Sequence, residues 1–112
     1  MKKPWCAVFW SGRPTEDMMF STAYAAGAPW NDTHWENKRF NELLVAARAE
    51  LDEKKRRAMY VEMQRIVRDE GGVVVPMFAM DLAAATDKIR HGKLGVNWEL
   101  DGFRCAERWW FA

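Results

Sequence analysis

The residues best suited to ligand chemistry stand together near the start of the chain, in the stretch WSGRPTED at positions 10–17. This stretch combines an indole, a guanidinium and two carboxylates. A guanidinium presents a planar fork of N–H donors that fits a carboxylate or a phosphate, and an indole presents a large apolar face. Arg13 is therefore a candidate to hold an anionic ligand group, and Trp10 is a candidate to stack on the ligand. Asp17 is a candidate to hold an amine or to orient Arg13.

A simpler interpretation of the same stretch is a solvated loop. Arg13 would then pair locally with Glu16 or Asp17, which contributes at most about 1 kcal/mol when the pair is exposed. Trp30 and Trp35 are secondary candidates for the wall of a binding cleft, because both lie in the turn-rich segment PWNDTHWEN. Packing of Trp30 and Trp35 beneath that loop is an equal alternative.

The sequence does not indicate catalysis or metal binding. Ser11 lies outside a G-x-S-x-G elbow and has no histidine in the context of a base. His34 and His91 are far apart, with no cysteine or carboxylate at metal-ligand spacing. Cys6 and Cys105 are too few for a disulfide framework, while a bond between them stays open. The prediction is a binding protein that uses no enzymatic chemistry, metal or cofactor.

Length and charge narrow the class of protein further. A chain of 112 residues can bury one small core. Its 17 basic and 16 acidic residues leave a net charge of +1, so no strong field attracts nucleic acid. No segment approaches the roughly 20 apolar residues of a membrane span. The N-terminal MKKPWCAVFW has an interrupted apolar run and no A-x-A site after it, so we expect no export signal in the chain as written.

The elements that must position these residues begin with a predicted strand over 5–10, whose apolar run is typical of a strand buried on both faces. A short helix is predicted over 17–26, capped by Thr15 or Asp17.

Two amphipathic helices follow. From Asn37, apolar residues recur at steps of three and four and so share one face: Phe40, Leu43, Leu44, Ala47 and Leu51. Asp52 stands at the N-cap of a second helix, whose apolar stripe continues until Gly71 and Gly72: Met59, Tyr60, Met63, Ile66 and Val67. The two helices are predicted to form an αα-hairpin.

The rest of the chain mixes strand and irregular patterns. The β-branched run GVVVPMFAM at 72–80 predicts a strand, with Pro76 at a break or an unpaired edge. Residues 82–89 are ambiguous between strand and helix, and an irregular tail ends in WWFA. The fold class predicted from this order is α/β.

The same order resembles the C-terminal end of the family 5 solute-binding proteins of ABC importers, the dipeptide- and oligopeptide-binding group. The resemblance covers nearly all 112 residues and is most specific in the helix pair, where FNELLVAAR, D-x-x-K-R, Y-x-E-M-Q and DEGGVVVPM follow in the family's order and spacing. It implies the C-terminal portion of a two-lobed periplasmic binding protein of type II. Residues 1–78 would belong to the second, ligand-closing lobe, and residues 79–112 to a return segment that completes the first lobe.

The resemblance also implies a function and a location. Such a protein binds peptides or peptide-like solutes and delivers them to the permease subunits of an ABC importer. Met1 would be an internal methionine, the full-length protein would be periplasmic, and this chain would lack its signal peptide. The tail aromatics would pack on the other lobe, so we expect the 112-residue chain alone to be poorly stable or oligomeric.

At the candidate site the chain departs from the family pattern. Peptide-binding members carry an Asp three residues after the Trp, and that Asp takes the ammonium group of the peptide; here the position is Arg13. The change reverses the charge of the anchor. The ligand would then bind in the opposite direction, or Asp17 or Glu16 would hold its amine, or the ligand would not be an ordinary peptide.

A rival prediction from another class of protein is a small helical-hairpin interaction domain with no transport role. In that case exposed tryptophans would dock a partner chain.

Overall fold

The structure is a computed structural model that describes residues 5–80, 82–95 and 98–112. Within those ranges the chain forms five α-helices, one π-helical segment and one two-stranded sheet, which makes it a small protein of mixed helix and strand. Its contacts divide into two compact units, one of residues 14–79 and the other of residues 1–13 with 80–112. The predicted two-lobed fold and the division at 78 stay predictions, and they include residues 1–4, 81, 96 and 97, which lie outside the described residues.

The predicted αα-hairpin is confirmed as the centre of the 14–79 unit. Helix α2 spans Lys38–Ala49 and helix α3 spans Glu53–Glu70. The side chain of Asn37 accepts a hydrogen bond from the Phe40 amide at 2.9 Å, and Asp52 caps α3 in the same way. Both caps satisfy amide groups that a helix start leaves without partners, so these local signals set where each helix begins.

The core of this unit lies between the helices and the segment before them. Its fully or nearly fully buried apolar residues are Phe20, Phe40, Leu43, Leu44, Ala47 and Met63. The rings of Phe20 and Phe40 meet edge to face with centroids 5.4 Å apart. Each buried large side chain contributes about 1.5–3 kcal/mol by leaving water. Leu51 was wrongly assigned to this face: it is 93% exposed, because α2 ends at Ala49 and Leu51 lies in the bend.

The short helix predicted over 17–26 is shorter and partly of another type. Helix α1 spans Glu16–Met19, and a π-helical segment continues it over Phe20–Tyr24. Thr15, rather than Asp17, is the cap, since its hydroxyl accepts from the Met18 amide. The Ser21 hydroxyl donates to the Asp17 carbonyl at 2.7 Å, and such local bonds compete with the regular α-helical ladder.

The strands predicted over 5–10 and 72–80 are wrong. Neither segment forms a β-ladder in the described chain, and large side chains in both are exposed, as in Phe9 at 80% and Phe78 at 90%. A strand needs a neighbour that accepts and donates its backbone hydrogen bonds, and an apolar pattern alone does not supply one.

The sheet forms instead at the C-terminal end. Strand β1, Ile89–His91, pairs antiparallel with strand β2, Trp109–Phe111, so that Arg90 lies opposite Trp110. The predicted irregular tail therefore holds a strand. Two short helical turns precede it, α4 at Glu99–Phe103 and α5 at Cys105–Arg108.

A buried carboxylate organises this tail. Asp101 lies in a left-handed turn with φ of 63°, between Leu100 and Gly102, which have positive φ as well. Its Oδ1 atom lies 3.0 Å from Nη1 of Arg108 and accepts a hydrogen bond from the Gly95 amide. A buried carboxylate needs such partners because desolvation penalises its charge.

Candidate ligand-binding site

The structure brings Trp10 and Arg13 together. The guanidinium carbon of Arg13 lies 5.4 Å from the centroid of the Trp10 ring, and both side chains are half-buried. Nη1 of Arg13 also donates to the carbonyls of Ser11 and Gly12, at 3.1 and 3.2 Å. The indole and the two carbonyls orient the guanidinium before any ligand arrives, which lowers the entropic cost of binding.

Arg13 keeps donors for a ligand. In the described part of its own unit, no carboxylate lies at ion-pair distance from Arg13, and its Nε and Nη2 atoms have no hydrogen-bond acceptor. An arginine has five N–H donors, and Nη1 alone serves the two carbonyls. The arrangement can therefore present a bidentate pair of donors to a carboxylate or a phosphate.

Asp17 is engaged elsewhere, in the unit of residues 14–79. Its two carboxylate oxygens accept from Nε and Nη2 of Arg48, at 2.7 and 2.9 Å. The Tyr60 hydroxyl lies 3.4 Å from Oδ1 and adds a weaker contact. We call Asp17, Arg48 and Tyr60 the carboxylate brace, because it connects α1, α2 and α3. The partner of Asp17 is thus a distant arginine rather than a loop neighbour.

The contacts of the brace raise the pKa of two of its members, Arg48 and Tyr60. The hydrogen bond from Arg48 to Asp17 raises the pKa of the guanidinium, which stays charged at all ordinary pH values. Desolvation raises the pKa of Tyr60, and the negative charge of Asp17 raises it further. The phenol is therefore a neutral hydrogen-bond donor at neutral pH.

Trp30 and Trp35 have different environments. Trp30 is 58% exposed in the turn region of the 14–79 unit, and its role as a cleft wall stays a prediction. Trp35 packs edge to face on Phe40 with centroids 5.2 Å apart, which confirms the packing alternative for Trp35. Buried Asn31 fixes this turn by donating to the carbonyl of Trp35 at 2.8 Å.

Sequence reasoning missed Arg48 and Tyr60 as partners of Asp17. In the sequence, Arg48 lies outside the apolar face of its helix, and Tyr60 lies within the apolar stripe of the next helix. The signal for Tyr60 was present, because a phenol in an inward-facing stripe needs a hydrogen-bond partner. No comparable signal exists for Arg48, 31 residues from Asp17. The predicted site residues fall into separate units, with Trp10 and Arg13 in one and Asp17 and Trp30 in the other.

A concave surface lies on the hairpin, and we call it the hairpin groove. It has a volume of about 410 Å³ and an apolar floor that includes Leu43, Ala46 and Met59. Arg39 and Glu62 form a bidentate ion pair at its rim, with distances of 2.8 and 3.1 Å. The hydrogen bond from Arg39 lowers the pKa of Glu62, so both side chains are ionised and their opposite charges balance.

Among the residues that the structure describes, no three His, Cys, Asp or Glu side chains form a group suited to a metal ion. The described helices include none that is both long and apolar enough to cross a membrane. Cys6 and Cys105 are free thiols.

Comparisons of the chain with protein-family models, curated proteins and solved structures found no match. Its function is therefore inferred from its own residues and their geometry.

Proposed function

We propose that the chain is a solute-binding component of an ABC importer, which binds peptides or peptide-like solutes through an anionic group for transport across a membrane. The observation that carries the proposal is the oriented guanidinium of Arg13 on the face of Trp10. The order of motifs in the helix pair, with its resemblance to family 5 solute-binding proteins, supports the transport role. The work of such a protein is binding, with no chemical step and no cofactor.

Ligand recognition follows from the chemistry of these two residues. Arg13 donates two N–H groups to a carboxylate or phosphate oxygen pair, and Trp10 supplies an apolar surface for the adjoining part of the solute. In a two-lobed protein, lobe closure removes water from these contacts and so strengthens them, and the permease recognises the closed state. Residues 1–78 belong to the ligand-closing lobe in this proposal and residues 79–112 to the first lobe, in the periplasm. The exposed apolar segments at 5–10 and 72–80 suit packing on the remainder of such a protein.

The proposal is tested by titrating the chain calorimetrically with small peptides and organic carboxylates. We expect binding of at least one carboxylate ligand, with an affinity that falls by about tenfold to a hundredfold in Arg13→Ala, the range for a charge-assisted bidentate contact. Arg90→Ala is the control, because Arg90 lies in the same unit as Arg13, is more exposed, and among the described residues its side chain donates to a carbonyl, that of Asp87. Unchanged affinity for every ligand in Arg13→Ala would remove Arg13 from the site.

The hairpin groove favours a second candidate function, a protein-interaction domain without a transport role. Its apolar floor and charged rim suit an amphipathic helix of a partner, and exposed Val45 and Leu51 add apolar surface to the hairpin. The DNA upstream of the Met1 codon separates the two functions. A long in-frame region that begins with a signal peptide supports the importer, whereas a promoter and ribosome-binding site directly before Met1 support the interaction domain.

A further inference from the structure

We infer that the site selects its solutes by their anionic group alone, because Asp17 serves the fold and does not bind a ligand amine. This inference rests on the proposed function and narrows its ligand class to organic anions, in which a free ammonium group brings no gain in affinity. N-acylated peptides and N-acylated amino acids belong to this class.

The first step is the charge balance of Asp17. Both of its oxygens accept from the guanidinium of Arg48, and Oδ1 also lies near the Tyr60 hydroxyl. The positive charge of Arg48 therefore already balances the negative charge of this carboxylate. A ligand ammonium beside Asp17 would be repelled by the adjacent guanidinium, so little net attraction for an amine remains.

The second step is the position of the brace. Asp17 lies in α1, Arg48 in the last turn of α2, and Tyr60 in α3. A carboxylate that bonds to side chains of two other helices helps to fix the positions of the three helices, which is a structural role. Asp17 is also less exposed than its arginine partner, with 25% of its side chain accessible against 51%. Its limited exposure reduces ligand access further.

The third step concerns Glu16, the other acid of the stretch. Glu16 lies in the first turn of α1 and is exposed. A carboxylate in open solvent gains little from an ion pair, because water screens the charge and the side chain loses entropy on binding. Glu16 is therefore a weak anchor for an amine, Asp17 is balanced by Arg48, and Arg13 is the oriented cation that suits an anion.

The experiment compares three probes that share the same side chains. They are alanyl-phenylalanine, its N-acetyl derivative, which keeps only the carboxylate, and its C-terminal amide, which keeps only the amine. We expect the first two to bind within about threefold of each other and the amide to bind at least tenfold more weakly. The same titration in Arg13→Ala should remove the preference for the two carboxylates over the amide.

The outcomes separate this inference from the function beneath it. Tenfold tighter binding of the free dipeptide than of its acetyl derivative, with the difference erased in Asp17→Asn or Glu16→Gln, would overturn the inference and leave the solute-binding function intact. Failure of all three probes and of other organic anions to bind would overturn the proposed function and the inference with it.

A set of variants keeps the test valid if Asp17→Asn folds poorly. Tyr60→Phe removes only the weakest bond of the brace, and Asp17→Glu retains the carboxylate. If the role of Asp17 is structural, Asp17→Asn lowers the melting temperature and Asp17→Glu restores part of it. The ratio of the affinities for the free and acetylated dipeptides then stays unchanged in both Asp17 variants. A changed ratio in Asp17→Glu with normal stability would place this carboxylate at the ligand.

Discussion

Arg48 donates two parallel hydrogen bonds, of 2.7 and 2.9 Å, to Asp17, which lies 31 residues away in the sequence. The pair connects the first short helix to the end of α2. Because both oxygens are used, the carboxylate is a tertiary contact of the fold. The guanidinium that we propose for ligand binding is that of Arg13, which the Trp10 ring and two carbonyls orient.

Asp17→Asn should lower the free energy of unfolding by about 1 kcal/mol, because the partly exposed pair loses its charge and one acceptor oxygen. Urea denaturation followed by circular dichroism measures the change. Asp69→Asn is the matched control, since Asp69 pairs with its exposed neighbour Arg68 and connects no separate elements. Equal stability of Asp17→Asn and the wild type would contradict the tertiary role.

Met63→Ala should destabilise the hairpin strongly, by about 2–5 kcal/mol, since Met63 is completely buried and its truncation leaves a cavity. Thermal denaturation of the variant checks this value. Val45→Ala provides the comparison, because Val45 lies on the same hairpin and is 70% exposed. A similar loss in both variants would show that the packing between α2 and α3 is not as described.

Asn37→Ala should cost about 1 kcal/mol, the usual loss when a helix N-cap is removed. The side chain of Asn37 also donates to Glu70 at 3.0 Å, so two effects combine. Asn37→Ser separates them, because serine caps the helix but does not replace the amide donor. Serine should restore most of the stability in a urea titration, and no recovery would assign the effect to the Glu70 contact.

The two tyrosines should lose their protons at a higher pH in the folded chain than in the unfolded chain. Desolvation raises the pKa of both Tyr24 and Tyr60 above 10.0. The folded state then holds these protons more tightly, so their stabilising contribution is complete below about pH 10 and is lost as pH rises further. Ultraviolet absorbance of tyrosinate, with and without urea, measures both midpoints. Coinciding midpoints would refute the burial of the phenols.

Arg108→Ala should destabilise the segment of residues 98–112, because it removes the ion-pair partner of Asp101, whose side chain is only 2% exposed. We expect a loss of about 1–3 kcal/mol, less than for a fully buried pair since Arg108 is 39% exposed. The rate of cleavage within residues 98–112 in limited proteolysis measures this loss of stability. In Arg104→Ala, which breaks only the exposed pair with Glu107, cleavage should be unchanged, and equal cleavage of the two variants would contradict this role of Asp101.

Local patterns determined the helical hairpin. The spacing of Phe40, Leu43, Leu44 and Ala47 and the caps at Asn37 and Asp52 act over three or four residues, so their physics is already present in the sequence. The contact between Trp10 and Arg13 did not follow from a pattern of this kind, because the loop that holds them has no regular structure to fix their spacing.

Tertiary structure decided the rest. The apolar runs at 5–10 and 72–80 have the composition of strands, yet a ladder needs a neighbour that no local pattern supplies, and the sheet formed from 89–91 and 109–111. In the same way, the sequence alone left the oxygens of Asp17 open to Arg13 or to a ligand amine. Packing of Phe20, in the π-helical segment that continues α1, against the hairpin brought Arg48 to them, because charges far apart in sequence become neighbours only when the apolar faces between them are buried.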